Sequence, residues 1–155
     1  MDKNGKIISF INMKGGVGKT TLSLGVADFL SDQGYDVLMI DADPQFNSTQ
    51  ALLDTYKSKG YEDIESEKNY YNDQIFPNHK TIYRLFMPQI DMNTSYSTPK
   101  SQDLIVNLKD HLDIVCGDLN LVLVNKVSDH TFVNRIRNFV EDNELRKYYD
   151  LIVID

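Results

Sequence analysis

Tryptophan is absent from this 155-residue chain, cysteine occurs once and proline four times. A single cysteine, Cys116, excludes an internal disulfide framework and fits a reducing compartment. As a lone free thiol it is expected to be packing material beside a strand rather than a nucleophile. The three histidines, His79, His111 and His130, lie far apart without ligand spacing, which argues against a metal site built on them. No apolar run approaches the ~20 residues that cross a bilayer, and residues 1–10 lack the apolar core of a signal peptide. Basic residues are scarce as well. Sixteen Lys and Arg face 23 Asp and Glu, and the net charge of −7 opposes a general attraction to nucleic acid phosphates. These absences predict a cytoplasmic protein with no membrane segment.

What is present fits one α/β domain over 1–155. Hydrophobic residues make up 41% of the chain, enough for a real core. "KIISFIN" (6–12) reads as a buried strand running into a glycine-rich loop. Leu22, Val26, Phe29 and Leu30 then recur at helical spacing from Lys19, and Gly34 stands where that helix would stop. "DVLMID" (36–41) is a second strand, so strand, loop, helix and strand follow one another as in a crossover unit. "TIYRLF" (81–86) predicts a short helix, "LDIVCG" (112–117) a third strand, and Asp118 to Val124 an apolar helix. Phe132, Ile136, Phe139 and Val140 mark the core face of a longer helix from about Asp129. "YYDLIVID" closes the chain as a strand. Residues 55–80 and 91–102 are polar and aperiodic and are expected to be solvent-facing loops. The stretch from Asp28 to Asp73 carries eleven carboxylates against Lys57, Lys59 and Lys68, the look of a solvated acidic face.

Chemistry concentrates at Lys14-Gly15-Gly16-Val17-Gly18-Lys19-Thr20-Thr21. Gly18, Lys19 and Thr20 fit the general phosphate-loop pattern, while Met13 stands at its first glycine position. The physical parts are all there. Glycines let backbone N–H groups turn inward, a helix N-terminus aims at an anion, Lys19 suits outer phosphates and the Thr20 hydroxyl suits Mg²⁺. The less favoured alternatives are that Asp43, before Pro44, is a turn starter and Asp155 no more than a terminal residue.

"KGGVGKTT" resembles the deviant Walker A loop of the ParA/MinD superfamily of ATPases. "VLMIDADPQFNSTQ" (37–50) is similar to the segment after the second strand of ParA/Soj-type chromosome and plasmid partition ATPases, whose Asp-x-Asp-Pro-Gln MinD-like proteins usually lack. "TIYRLF", "LDIVCGDLNLVL" and "YYDLIVID" resemble further family blocks in the same order, so the resemblance spans the whole chain, strongly over 6–50 and loosely over 55–110. The resemblance implies a P-loop NTPase with a mostly parallel sheet flanked by helices, ATP and Mg²⁺ as cofactors, and a homodimer that sandwiches the nucleotide. It implies that Lys14 reaches phosphates bound by the other subunit, where a cation in trans can stabilise the transition state. It also implies that Asp41 holds a water on Mg²⁺, that Asp43 orients the attacking water, and that Asp155 is the Walker B carboxylate. A ParB-like adaptor and non-specific DNA contact at the nucleoid follow by the same route.

Two departures shape the expectations. Phe46 stands where glycine is common in the family, so the turn after Pro44 is expected to take a different path. Partition ATPases continue for about 100 residues beyond this point, by the usual size of an α/β domain. The chain is therefore expected to be truncated after its Walker B strand, without the adenine pocket and DNA-binding surface. The leading functional reading is an ATP-hydrolysing, dimerising partition switch. The alternative is a nucleotide-binding module without effective turnover.

Overall fold

The computed structural model describes residues 3–11, 18–58, 69–87, 97–124 and 129–155, the side chains of 129 and 131 excepted. Five strands form one sheet: β1 (Lys6–Ser9), β2 (Val37–Ile40), β3 (Val106–Lys109), β4 (Leu112–Val115) and β5 (Leu151–Ile154). Their order across the sheet is β1-β5-β2-β4-β3. The first four run parallel, and β3 alone is antiparallel, joined to β4 by a tight hairpin. The unit of strand, helix and strand expected at the start is present, but β1 and β2 are not neighbours; β5, last in the chain, fills the gap between them. Among the described residues no helix is long and apolar enough to cross a membrane.

Alternation within β2 explains why its apolar run is continuous. Val37 and Met39 enter a core with Ala27 of α1 (Lys19–Asp32) and Leu52 and Leu53 of α2 (Asn47–Tyr56). Leu38 and Ile40 enter a second core with Leu104 of the short helix α3 (Ser101–Leu104) and Leu121 and Val124 of α4 (Leu121–Val124). The same core takes Ile136, Phe139 and Val140 of α5 (Asp129–Asp142). A central parallel strand covered on both faces has no polar side to show, and β2 is buried throughout. The expected core face of α5 is thus present, and Phe132 completes it by stacking on Phe86 at 5.0 Å between ring centroids.

The other helix packs differently from its sequence pattern. In α1 the buried positions are Ser23, Ala27 and Ser31, while Leu22 is 57% and Phe29 62% exposed. A small-residue stripe at a spacing of four lets the helix lie close on the sheet, and the larger residues flank that contact or stand in solvent. Further differences lie at boundaries. The first strand stops at Ser9, the helix expected from Asp118 begins at Leu121, and "TIYRLF" forms a 3₁₀ turn at Ile82–Leu85. Helix α2 and strand β3 were not expected. The former hides in a polar run, and the latter alternates Val106 and Leu108 inward with Asn107 and Lys109 outward over only four residues. Within 55–80 the described part holds a π-helical turn at Tyr71–Ile75. Residues 59–68 and 91–96 lie outside the described residues.

The contrast between central and edge strand is measurable. Leu38 is completely buried, whereas Ile7 on β1 is 46% exposed. Leu38→Ala is expected to lower unfolding free energy by about 2–5 kcal/mol, and Ile7→Ala by less than about 1.5 kcal/mol. Urea unfolding of both variants checks the ranking, and equal losses would contradict the layer assignment.

Candidate functional site

The site forms where the C-terminal tips of β2 and β5 meet the start of α1. The two strands stay in register past their last ladder residues. Asp155 N–H donates to the Ile40 carbonyl at 3.0 Å, and Ala42 N–H donates to the Asp155 carbonyl at 2.8 Å. Asp41 and Asp155 thereby leave adjacent strands side by side at one end of the sheet, the end where open α/β sheets bind ligands. Gly18 caps α1 with φ of 84°, a left-handed conformation that glycine adopts without steric cost. Lys19 and Thr20 follow as the first residues of the helix.

Lys19 reaches both acidic positions. Its ammonium lies 3.1 Å from Asp155 Oδ1 and 3.6 Å from Asp43 Oδ2. The Thr20 hydroxyl donates to Asp155 Oδ2 at 3.1 Å. Asp155 is buried, and its Oδ1 has no hydrogen bond of good geometry besides the ion pair with Lys19. Asp43 has two jobs. Its Oδ1 accepts from Gln45 N–H at 2.9 Å, as a turn starter does, while its other oxygen faces Lys19. Thr21 stands exposed on α1. Lys14, Gly15, Gly16 and Val17 lie outside the described residues.

Asp41 is fully buried, and that burial pushes its carboxyl up to about 6, with the nearby Asp155 charge adding to the effect. Three donors oppose the rise. Thr49 gives its backbone N–H at 2.8 Å and its hydroxyl at 2.7 Å to Oδ2, and Asp43 N–H reaches Oδ1 at 3.2 Å. Ser48 donates its hydroxyl to Asp155 Oδ2. Sequence reasoning missed Ser48 and Thr49. Their signal was "NST" directly after Asp-Pro-Gln-Phe, where short polar residues begin a helix.

Phe46 occupies a left-handed position, φ 39° and ψ 40°, just before α2, which costs a non-glycine residue about 1–2 kcal/mol. Its ring stacks on Tyr71 at 5.1 Å, and Tyr71 donates its hydroxyl to the Gly117 carbonyl at 2.9 Å. A Cβ on Gly117 would lie 2.5 Å from Phe46 Cβ and 3.0 Å from the Asp41 carboxyl carbon. Glycine at 117 is therefore what lets β4 end against this turn.

The donor set suits a small hard cation held jointly with phosphates. Among the described residues no group of three or more His, Cys, Asp or Glu could hold a metal ion by itself. Mg²⁺ commonly takes one or two carboxylates and completes its shell with water and substrate phosphate. Thr20, Asp41 and the orphaned Asp155 oxygen fit that pattern. The crevice beside them opens into a cavity of about 530 Å³ that Lys19, Asp43 and Asp155 share with apolar Ile7, Phe132 and Ile154.

Comparison with known proteins agrees with this geometry. The family model AAA_31, described as an AAA domain, matches residues 5–155. An uncharacterized protein of Methanocaldococcus jannaschii is 31% identical over 151 residues, which cover 96% of this chain and 49% of that protein. The sporulation initiation inhibitor protein Soj of Bacillus subtilis is 52% identical over 48 residues, 31% of this chain and 19% of Soj. A plasmid partition protein from Borrelia burgdorferi superposes with a TM-score of 0.67 at 25% identity, over 97% of this chain and 55% of that one. The chain thus spans about half the length of the Methanocaldococcus and Borrelia proteins. With a mostly parallel sheet flanked by helices and with Gly18, Lys19 and Thr20 at its crevice, the chain belongs to the AAA_31 family and is similar to ParA/MinD-type partition proteins.

Proposed function

We propose that this chain binds ATP with Mg²⁺ and serves as the nucleotide-dependent, dimerising switch of a plasmid or chromosome partition system in the cytoplasm. The observation that carries the reading is the convergence of Lys19 and Thr20, at the start of α1, on Asp155 and Asp43. Phosphates lie at the N-terminus of α1, where backbone N–H groups and the helix dipole favour negative charge. Gly15, Gly16, Val17, Gly18 and Thr21 complete the cradle. Lys19 would exchange its contacts with Asp43 and Asp155 for phosphate oxygens when nucleotide binds.

When bound, Mg²⁺ supplies charge neutralisation to the phosphates. Thr20, Asp41 and Asp155 would hold that ion, their oxygens being the hard donors gathered at this corner. Asp43 orients the attacking water, since the oxygen that faces Lys19 is free of the turn it starts. Lys14 acts across a dimer interface on the partner's nucleotide. Such catalysis is positioning and charge stabilisation rather than covalent chemistry. A ParB-like adaptor and non-specific DNA are the proposed partners of the intact system.

Three outcomes test the reading. Calorimetry with ATP and Mg²⁺ is expected to show binding by the unaltered chain and a loss of at least about tenfold in Lys19→Ala, a charge-assisted contact being worth roughly 1.5–3 kcal/mol; equal binding would remove the phosphate assignment. In a version extended to the length of the relatives, phosphate release is expected to fall by about 10²-fold or more in Asp43→Ala, and to fall in Lys14→Gln as well, while both retain nucleotide affinity. In a gel-shift assay this acidic chain, net charge −7, is expected to bind duplex DNA poorly even with ATP, because few phosphates are neutralised. Tight, salt-sensitive binding would point to a basic patch within these 155 residues.

A further inference from the structure

We propose that Ser48 and Thr49, consecutive residues in the first turn of α2, are positioning residues that fix the Asp155 and Asp41 carboxylates for divalent-cation binding. The inference rests on the nucleotide-binding reading above and assigns a role to two side chains outside the phosphate loop.

Both residues are fully buried. They are the second and third residues of α2, after the N-cap position held by Phe46, and both hydroxyls are spent on carboxylates of other elements. The Ser48 hydroxyl donates to Asp155 Oδ2, the same oxygen that accepts from Thr20. The Thr49 hydroxyl donates to Asp41 Oδ2 at 2.7 Å while accepting from Gly117 N–H at 2.7 Å. Its backbone N–H reaches the same Asp41 oxygen at 2.8 Å.

The consequence is orientational. A carboxylate with one oxygen fixed by donors from another element cannot rotate freely about its last torsion, so its second oxygen keeps one direction. Among the described residues, that second oxygen in Asp155 is the one facing Lys19 without a hydrogen bond of its own. In Asp41 it accepts, among the same residues, the long 3.2 Å contact from Asp43 N–H. The two hydroxyls therefore act on the cation through the carboxylates, as outer partners of metal ligands do. The Gly117 contact also ties the tip of β4 to that of β2, so three strand ends share one helix start.

The test uses the full 155-residue chain, Mn²⁺ as the probe and a non-hydrolysable ATP analogue, with bound metal read by electron paramagnetic resonance. Thr49→Val and Ser48→Ala remove a hydroxyl at nearly constant volume; Thr49→Ser keeps it. The first two are expected to weaken Mn²⁺ affinity by about tenfold or more, with Thr49→Ser within about twofold of the unaltered chain. Nucleotide affinity in the absence of metal is expected to stay the same in all three. Ser48→Ala carries the test alone if circular dichroism shows that Thr49→Val does not fold. Mn²⁺ affinities in the hydroxyl-less variants within twofold of the unaltered chain would overturn the positioning role. Failure of the unaltered chain to hold Mn²⁺ with the analogue would overturn the nucleotide-binding reading, and this inference with it.

Discussion

The parallel pairing of β2 with β5 is the contact on which the site depends. Continuation of that ladder through Ile40, Ala42 and Asp155 sets two carboxylates on neighbouring strand tips. Placing two acids together in a buried corner is unfavourable, and the upward shift of Asp41 to about 6 records the cost, with burial as its main cause. The corner persists because opposing groups come from elsewhere in the fold: the Lys19 ammonium and Thr20 hydroxyl from α1, and the Ser48 and Thr49 hydroxyls from α2. Removing one partner of such a set leaves a buried charge uncompensated, which is far more damaging than the net worth of the pair.

The layers explain why those partners arrive in the right place. A stripe of Ser23, Ala27 and Ser31 sets α1 close on the sheet, and its first turn then overhangs the β5 tip. On the opposite face α5 contributes Ile136, Phe139 and Val140, so β2 and β5 are clamped from both sides. Rigidity at the strand tips is therefore a product of packing well below them. The apolar cores hold the scaffold, and at the corner at its end two carboxylates, Asp41 and Asp155, are buried together.

One of the strained backbone positions lies at the same end. Phe46 takes a left-handed conformation that its Cβ disfavours, and its ring is held by stacking on Tyr71. Tyr71 in turn holds the Gly117 carbonyl, and Gly117 has no Cβ to strike Phe46. The turn that starts α2 and the tip of β4 thus constrain each other, and through Thr49 they constrain Asp41.

The sequence by itself determined the α/β class, the β2 and β5 strands, the α5 core face and the run from Gly18 to Thr20, because each depends on local periodicity or on a short contiguous pattern. Asp41, Asp43 and Asp155 were marked by the resemblance to the ParA family rather than by periodicity, which left Asp43 open as a turn starter and Asp155 as a terminal residue. Local pattern was half right at α1: Val26 and Leu30 pack against the core, while Leu22 and Phe29 stand exposed and small residues make the closest contact. That outcome turns on how close the sheet lies, which no single segment encodes. The insertion of β5 between β1 and β2, the antiparallel edge strand β3, and the joining of Ser48 and Thr49 to two carboxylates were decided only by the tertiary structure. Each is a pairing between segments far apart in the chain, 107 residues in the case of Ser48 and Asp155, and such pairings leave no periodic trace in either segment.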